Sequence, residues 1–221
     1  SLTNGVNFLK NNNNQYFSLI QLCLKKCIFF KIKNTIGKSF ASIKANGIIY
    51  FNLYEDIHDE VYFIDNLGFL SGKIIFTTLL HAPENIFKFS HRTKIRDIIN
   101  TEDSRNIYTL FSNLFSYSTA HQCLNSCANL DSLTNQQKNE IILRLALYKK
   151  KYELDFEKFE SIIKQYSGIE NIFFSDGILI FSYLQDNFIN LIEYSLIKSS
   201  NFDYSNVNYK MTFIEFEKNN L

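Results

Sequence analysis

The stretch Lys44–Gly72 (KANGIIYFNLYEDIHDEVYFIDNLGFLSG) constrains the fold more than any other part of the chain. Gly47 opens an apolar run, Ile48–Leu53, of the residue types that suit a pleated, half-buried strand. A charged turn follows at Glu55, Asp56, His58, Asp59 and Glu60, and Val61–Ile64 returns as a second alternating run. Asn66-Leu67-Gly68 reads as a turn leading to a further glycine, Gly72. Ser39–Ile43, Lys73–Leu79 and Asn85–Phe89 are also short and rich in Ile, Phe, Thr or other strand-forming residues. Their close spacing, with turns at Asn46-Gly47, Asn66–Gly68 and Ala82-Pro83, predicts an antiparallel roll or barrel rather than βαβ units.

At Ser90 the period changes. Ser90–Ile99 reads as a short helix capped by Ser90. Ser104 can cap a longer one, with Ile107, Leu110, Phe111, Leu114 and Phe115 on one face and the pattern running through Tyr117, Cys123 and Leu124 towards Leu130. Thr134 is the expected cap of Gln137–Lys150, and Asp155 that of Phe156–Gln165, which Gly168 stops. Ile169–Phe174 and Ile178–Tyr183 flank Asp176-Gly177, a dipeptide favoured in two-residue hairpin turns. The tail mixes a possible helix, Phe188–Ile197, with a strand-like Met211–Phe216. Ser1–Gln15, ending in the asparagines 11–14, reads as a mobile arm. Tyr16–Phe30 has helical spacing, but its end, from Cys27 to Ile32, has strand character.

The chain has 221 residues, 46% of them hydrophobic, enough to bury a real core. Its formal net charge of +1, from 23 basic and 22 acidic residues, argues against a protein that coats long nucleic acids and still permits a local basic patch. Phe17–Phe30 is the most membrane-like N-terminal stretch, but Lys25 and Lys26 interrupt it and no small-residue cleavage site follows. A cytoplasmic protein with no membrane partner is therefore expected. The cysteines form two Cys-x-x-x-Cys pairs, Cys23/Cys27 and Cys123/Cys127, with His121 beside the second. Four thiolates could hold zinc or an iron–sulfur cluster if the pairs met; buried packing is the favoured reading, because metal sites usually space cysteines more closely. The phosphate-loop, dinucleotide, nucleophile-elbow and zinc-protease motifs are missing. A Cys/His hydrolase using Cys123 or Cys127 with His81 or His91 has no local context. No enzyme activity and no cofactor are expected.

Several segments resemble the Crp/Fnr-type transcription regulators. Gly47–Phe51 resembles that family's glycine-led central strand, Asp65–Gly72 the turn before its ligand cassette, and Asn85–Ile99 its last roll strand and following short helix. Thr101–Ala128 resembles the dimerisation helix, Gln136–Tyr148 the helix opening the DNA-binding domain, and Ile172–Ile180 the wing. The resemblance implies an α+β protein: an N-terminal antiparallel β-roll (16–100) after an arm (1–15), a long central helix (101–130) and a small C-terminal winged-helix-like unit (131–221). It implies a homodimer through Ile107, Leu110, Phe111, Leu114, Phe115 and Tyr117. It also implies promoter-DNA contact through Arg144, Lys149, Lys150, Lys151, Lys158 and Lys164 with a wing at Asp176 and Gly177. Ser71–Pro83 has no arginine to meet a cyclic phosphate, so cyclic nucleotides are not expected to bind. Solvated helix ends are the plain alternative for the lysine cluster, as for the second basic run, His91–Arg96. The alternative function is a protein-interaction module, a secreted effector or toxin-neutralising partner, marked by an exposed cluster among Phe173, Phe174, Phe181 and Tyr183.

Overall fold

The computed structural model describes residues 1–33, 38–54, 58–80, 82–196 and 202–220, apart from the side chains at 43, 188 and 190–196. The elements run α1 (Leu2–Asn12), α2 (Asn14–Cys23), β1 (Lys26–Phe30), β2 (Phe40–Ala41), β3 (Ile48–Asn52), α3 (Glu60–Leu79), α4 (Ile107–Cys127), α5 (Asn135–Gln165), α6 (Ser175–Leu196) and α7 (Phe213–Asn220). The protein is mostly helical with one small mixed sheet. This overturns the expected N-terminal antiparallel β-roll and the winged-helix-like C-terminal unit.

The centre of the correction is α3. Val61–Ile64, the supposed turn Asn66–Gly68 and the supposed strand Lys73–Leu79 are one continuous helix. The Asp59 carboxylate caps it, accepting from the Tyr62 amide at 3.1 Å. Apolar residues cover nearly its whole circumference, and thirteen of its residues are buried, so it shows no clean helical stripe. Its glycines are contact points rather than turns. A Cβ on Gly68 would lie 2.8 Å from the Ala120 Cα, and one on Gly72 would lie 3.0 Å from the Ser116 Cα, both on α4. The absence of side chains there lets α3 and α4 approach closely and form the central pair.

The supposed arm folds as α1 and α2, hinged at Asn13, whose side chain accepts from the Tyr16 amide and caps α2. Leu9, Tyr16, Phe17 and Ile20 bury against the core. The C-terminal hairpin is also a helix. Ile169–Asn171 is a single 3-10 turn, and Asp176 and Gly177 sit in the first turn of α6. An acidic residue suits that position, and Gly177 leaves room for the Phe173 ring, 2.7 Å from where a Cβ would stand. Asn85–Phe89 forms only an isolated bridge to Phe173, Ser90–Ile99 bends through a 3-10 turn at Ile95–Asp97, and Phe213–Asn220 is helical. Ile197, like Glu55, Asp56 and His81, lies outside the described residues.

Other expectations hold in altered form. Thr134 does cap a helix, through a full capping box with Gln137, but the two helices expected after it are one, α5. The cap of α4 is Asn106, accepting from the Thr109 amide at 2.8 Å, rather than Ser104. The sheet keeps the Gly47-led strand: Gly47 has φ +84° and precedes β3. Sheet order is β1-β3-β2, with β1 parallel and β2 antiparallel to β3. One apolar core runs from α1 through α6 and crosses the expected boundaries near residues 100 and 130. A smaller cluster forms where Val207 and Phe216 cover Leu143, Ala146 and Leu147 of α5.

Candidate functional site

A cavity of about 740 Å³ lies between α3, the start of α4 and the β2–β3 connection. Ala41, Ser42 and Asn46 form one wall, Lys73, Ile74 and Thr77 of α3 another, and Asn106, Tyr108, Thr109, Ser112 and Asn113 a third; His91 and Arg92 stand at the mouth. Backbone pairing builds that mouth. The Tyr108 and Ile107 amides donate to the His91 and Thr93 carbonyls at 3.2 and 3.0 Å, and the Ile95 amide donates to the Arg105 carbonyl at 2.9 Å. The basic run around His91 is therefore strapped across the N-terminal end of α4, where the helix dipole favours negative charge.

The lining is mixed: Ala41, Ile74, Leu80 and Pro83 give it apolar surface, and Lys73 and Arg92 give it positive charge. Among the described residues no carboxylate lines the cavity, and Lys73, His91 and Arg92 make no ion pair. Lys73 is half-buried, with its ammonium 4.8 Å from the Phe69 ring centroid. Burial depresses its pKa, so the charged form is held at a cost that an anion would relieve. Ser112 and Asn113, each 8% exposed, present side chains that make no hydrogen bond to another described residue. Their polar atoms are not sealed from solvent, so a molecule in the cavity can reach them. The Thr77 and Tyr108 hydroxyls hydrogen-bond to each other at 3.2 Å; burial raises the Tyr108 pKa, and Thr77 offsets part of that rise.

The expected DNA-contact residues lie elsewhere and are largely engaged within the chain. Arg144 is buried on α5, pairing with Asp65 and with Glu140 (2.6 Å), with the Phe213 ring centroid 3.8 Å from its guanidinium. The Lys151 ammonium donates to the Met211 carbonyl at 2.6 Å. Lys158 bonds Asp103 at 2.9 Å. Asp103 also joins Asp155 in clasping Arg105, each with an oxygen 2.6 Å from the guanidinium. Arg105 in turn sits 4.0 Å from the Tyr209 ring centroid. Lys149 and Lys150 share Glu153 at 3.7 and 3.3 Å; Lys164 is exposed. Asp176 and Gly177 form no wing.

The dimer stripe is accounted for within one chain. Ile107, Leu110, Phe111 and Leu114 are 0% exposed, Tyr117 3% and Phe115 7%. Of the four aromatics near the supposed hairpin, Phe173 and Phe181 are core residues, while Phe174 and Tyr183 are each 45% exposed. Cys123 and Cys127 are buried, and Cys23 and Cys27, one on α2 and one on β1, are half-buried. No group of three or more His, Cys, Asp or Glu side chains among the described residues could hold a metal ion, and no helix there is long and apolar enough to cross a membrane. The sequence did carry one pointer to the cavity: Lys73 is a lone cation inside the apolar run from Leu67 to Leu80. No protein-family model matches the chain, and no curated protein does.

Proposed function

We propose that this protein binds a small anionic molecule, a carboxylate or phosphate ester, in the cavity between α3 and α4. The observation that carries the reading is the convergence of Lys73, His91 and Arg92 on a cavity with no carboxylate among its described lining residues. A ligand of that size would meet the Lys73 and Arg92 charges, the His91 ring and the Ser112 and Asn113 side chains together. The promoter-DNA reading has weaker support, because Arg144, Lys151 and Lys158 already have partners inside the fold.

The test is thermal denaturation with inorganic phosphate, citrate and a nucleoside monophosphate. A ligand at 100 times its Kd adds about 2.7 kcal/mol, a rise of roughly 5–10 °C for a chain of this size. The Lys73→Met protein should lose most of that rise, and Lys149→Ala/Lys150→Ala should keep it. Absence of any shift up to millimolar anion, or an equal shift in Lys73→Met, rejects the reading.

A further inference from the structure

The near-neutral net charge conceals a sharp segregation. Before Glu55 the chain carries seven lysines, no arginine and no acidic residue; all 22 acidic residues lie from Glu55 onward. The seven lysines (Lys10, Lys25, Lys26, Lys31, Lys33, Lys38 and Lys44) are all exposed, and none is in an ion pair among the described residues. That contrasts with α5, where five basic side chains from Arg144 to Lys158 are paired or bonded internally.

The same segment builds the sheet, and strand alternation sorts its side chains. Cys27, Phe29, Ile49 and Phe51 belong to the face towards α3, where the Phe51 ring meets Phe63 edge-on at 5.6 Å. Lys26, Phe30, Phe40 and Tyr50 share the opposite face by register. There Phe40 and Tyr50 stack at 4.5 Å with 6° between their planes, and Phe30 lies 6.1 Å from Phe40. Phe40 is 45% exposed and Phe30 and Tyr50 are partly exposed. Lys26 opens β1, Lys31 and Lys33 follow it and Lys44 lies in the β2–β3 connection; Lys38, which precedes β2, lies close enough to Glu215 and Lys151 to act on both. The stacked Phe40–Tyr50 pair, with Phe30 tilted 59° from Phe40, and the nearby lysines are the two components of a single-strand binding surface: rings stack on bases and lysines neutralise phosphates.

We propose that the outer face of the β1-β3-β2 sheet binds single-stranded nucleic acid, with Phe30, Phe40 and Tyr50 as the stacking platform and the surrounding lysines as phosphate contacts. Charge complementarity selects a polyanion. The pre-stacked rings favour unpaired bases over a duplex, whose bases are already stacked. An anionic membrane is the competing occupant, since Leu19 and Leu22 of neighbouring α2 are 43% and 79% exposed.

Fluorescence anisotropy with labelled oligo(dT) and oligo(U) of about 15 nucleotides, near the upper end of what one small fold covers, tests the proposal. Either oligonucleotide should bind more tightly than a duplex of equal length. Phe40→Leu keeps apolar bulk at an exposed position and removes the ring, and should weaken binding about tenfold. Lys26→Gln/Lys31→Gln/Lys33→Gln, at exposed sites, should lower the salt slope by about two, at ~0.7 per phosphate contact. The proposal falls if neither oligonucleotide binds, if duplex binds as well, or if both variants bind as wild type does. Binding to phosphatidylserine vesicles without binding to the oligonucleotides overturns it in favour of a membrane surface.

Discussion

Adding one methyl group at Gly68 tests whether α3 and α4 are the tightly apposed centre of the fold. In an unhindered helix, Gly→Ala would stabilise by about 1 kcal/mol through backbone entropy. Here the new Cβ would stand 2.8 Å from the Ala120 Cα, with the Cys123 Cβ at 3.1 Å. Carbon atoms at rest need about 3.5–4.0 Å, so the helices must part by roughly 1 Å. The nearest obstacle is backbone and cannot rotate away. Overpacking of this kind costs about 2–3 kcal/mol, leaving a net loss of about 1–2 kcal/mol for Gly68→Ala. With a urea m-value near ~2–3 kcal/mol/M for a chain of this length, the midpoint should fall by about 0.5 M, at unchanged m. Gly72→Ala meets Thr119 and the Ser116 Cα and should also lower the midpoint. A raised midpoint in Gly68→Ala would mean that propensity alone operates and that α3 and α4 do not approach closely at Gly68.

Other changes have signs that can be worked out. Asp155→Asn leaves Arg105 buried with one carboxylate instead of two, and should cost about 3 kcal/mol in urea denaturation. Burial alone would raise the Asp103 pKa, but hydrogen bonds from Arg105 and Lys158 more than reverse this and hold it well below the usual carboxylate range. Its contribution is therefore full above the unfolded value of 3.8 and lost as pH falls below it; an acid titration of Asp103→Asn should lack that part of the wild-type fall. Burial pushes the Lys151 ammonium down from 10.5 to about 8. Between those values the unfolded chain holds the extra proton, so wild type should gain up to about 3 kcal/mol relative to Lys151→Met as pH rises from about 8 to 10.5. Phe213→Ala removes the ring beside Arg144 and should cost about 1–2 kcal/mol, with faster hydrogen exchange across α7.

Local signals were readable where one residue type has one physical use. Gly47 before β3, the Thr134 cap and the stop at Gly168 all follow from backbone needs that neighbours do not alter. α3 was opaque because a helix buried on most sides has no polar face to set the period, and short windows of it alternate like strands. Gly68, Gly72 and Gly177 misled for a related reason: glycine marks a turn or a close approach, and only the approaching atoms distinguish the two. The cavity needed the third dimension, since Lys73, His91 and Asn113 meet only after the His91 segment pairs with the start of α4. The lysine segregation before Glu55 was visible in the sequence, but a whole-chain charge of +1 averages it away.

The free edge of β1 gives those lysines a further consequence. Among the described residues β1 pairs only on its β3 side, and an open strand edge can recruit the same strand of another molecule. Lys25 and Lys26 stand at one end of that edge, and Lys31 and Lys33 beyond the other. Two such edges aligned side by side would bring like charges together, a repulsion that keeps copies apart at low ionic strength and weakens as salt screens it. The purified protein should therefore tolerate concentration best in dilute buffer, and the triple glutamine variant should be the first to form cross-β aggregates.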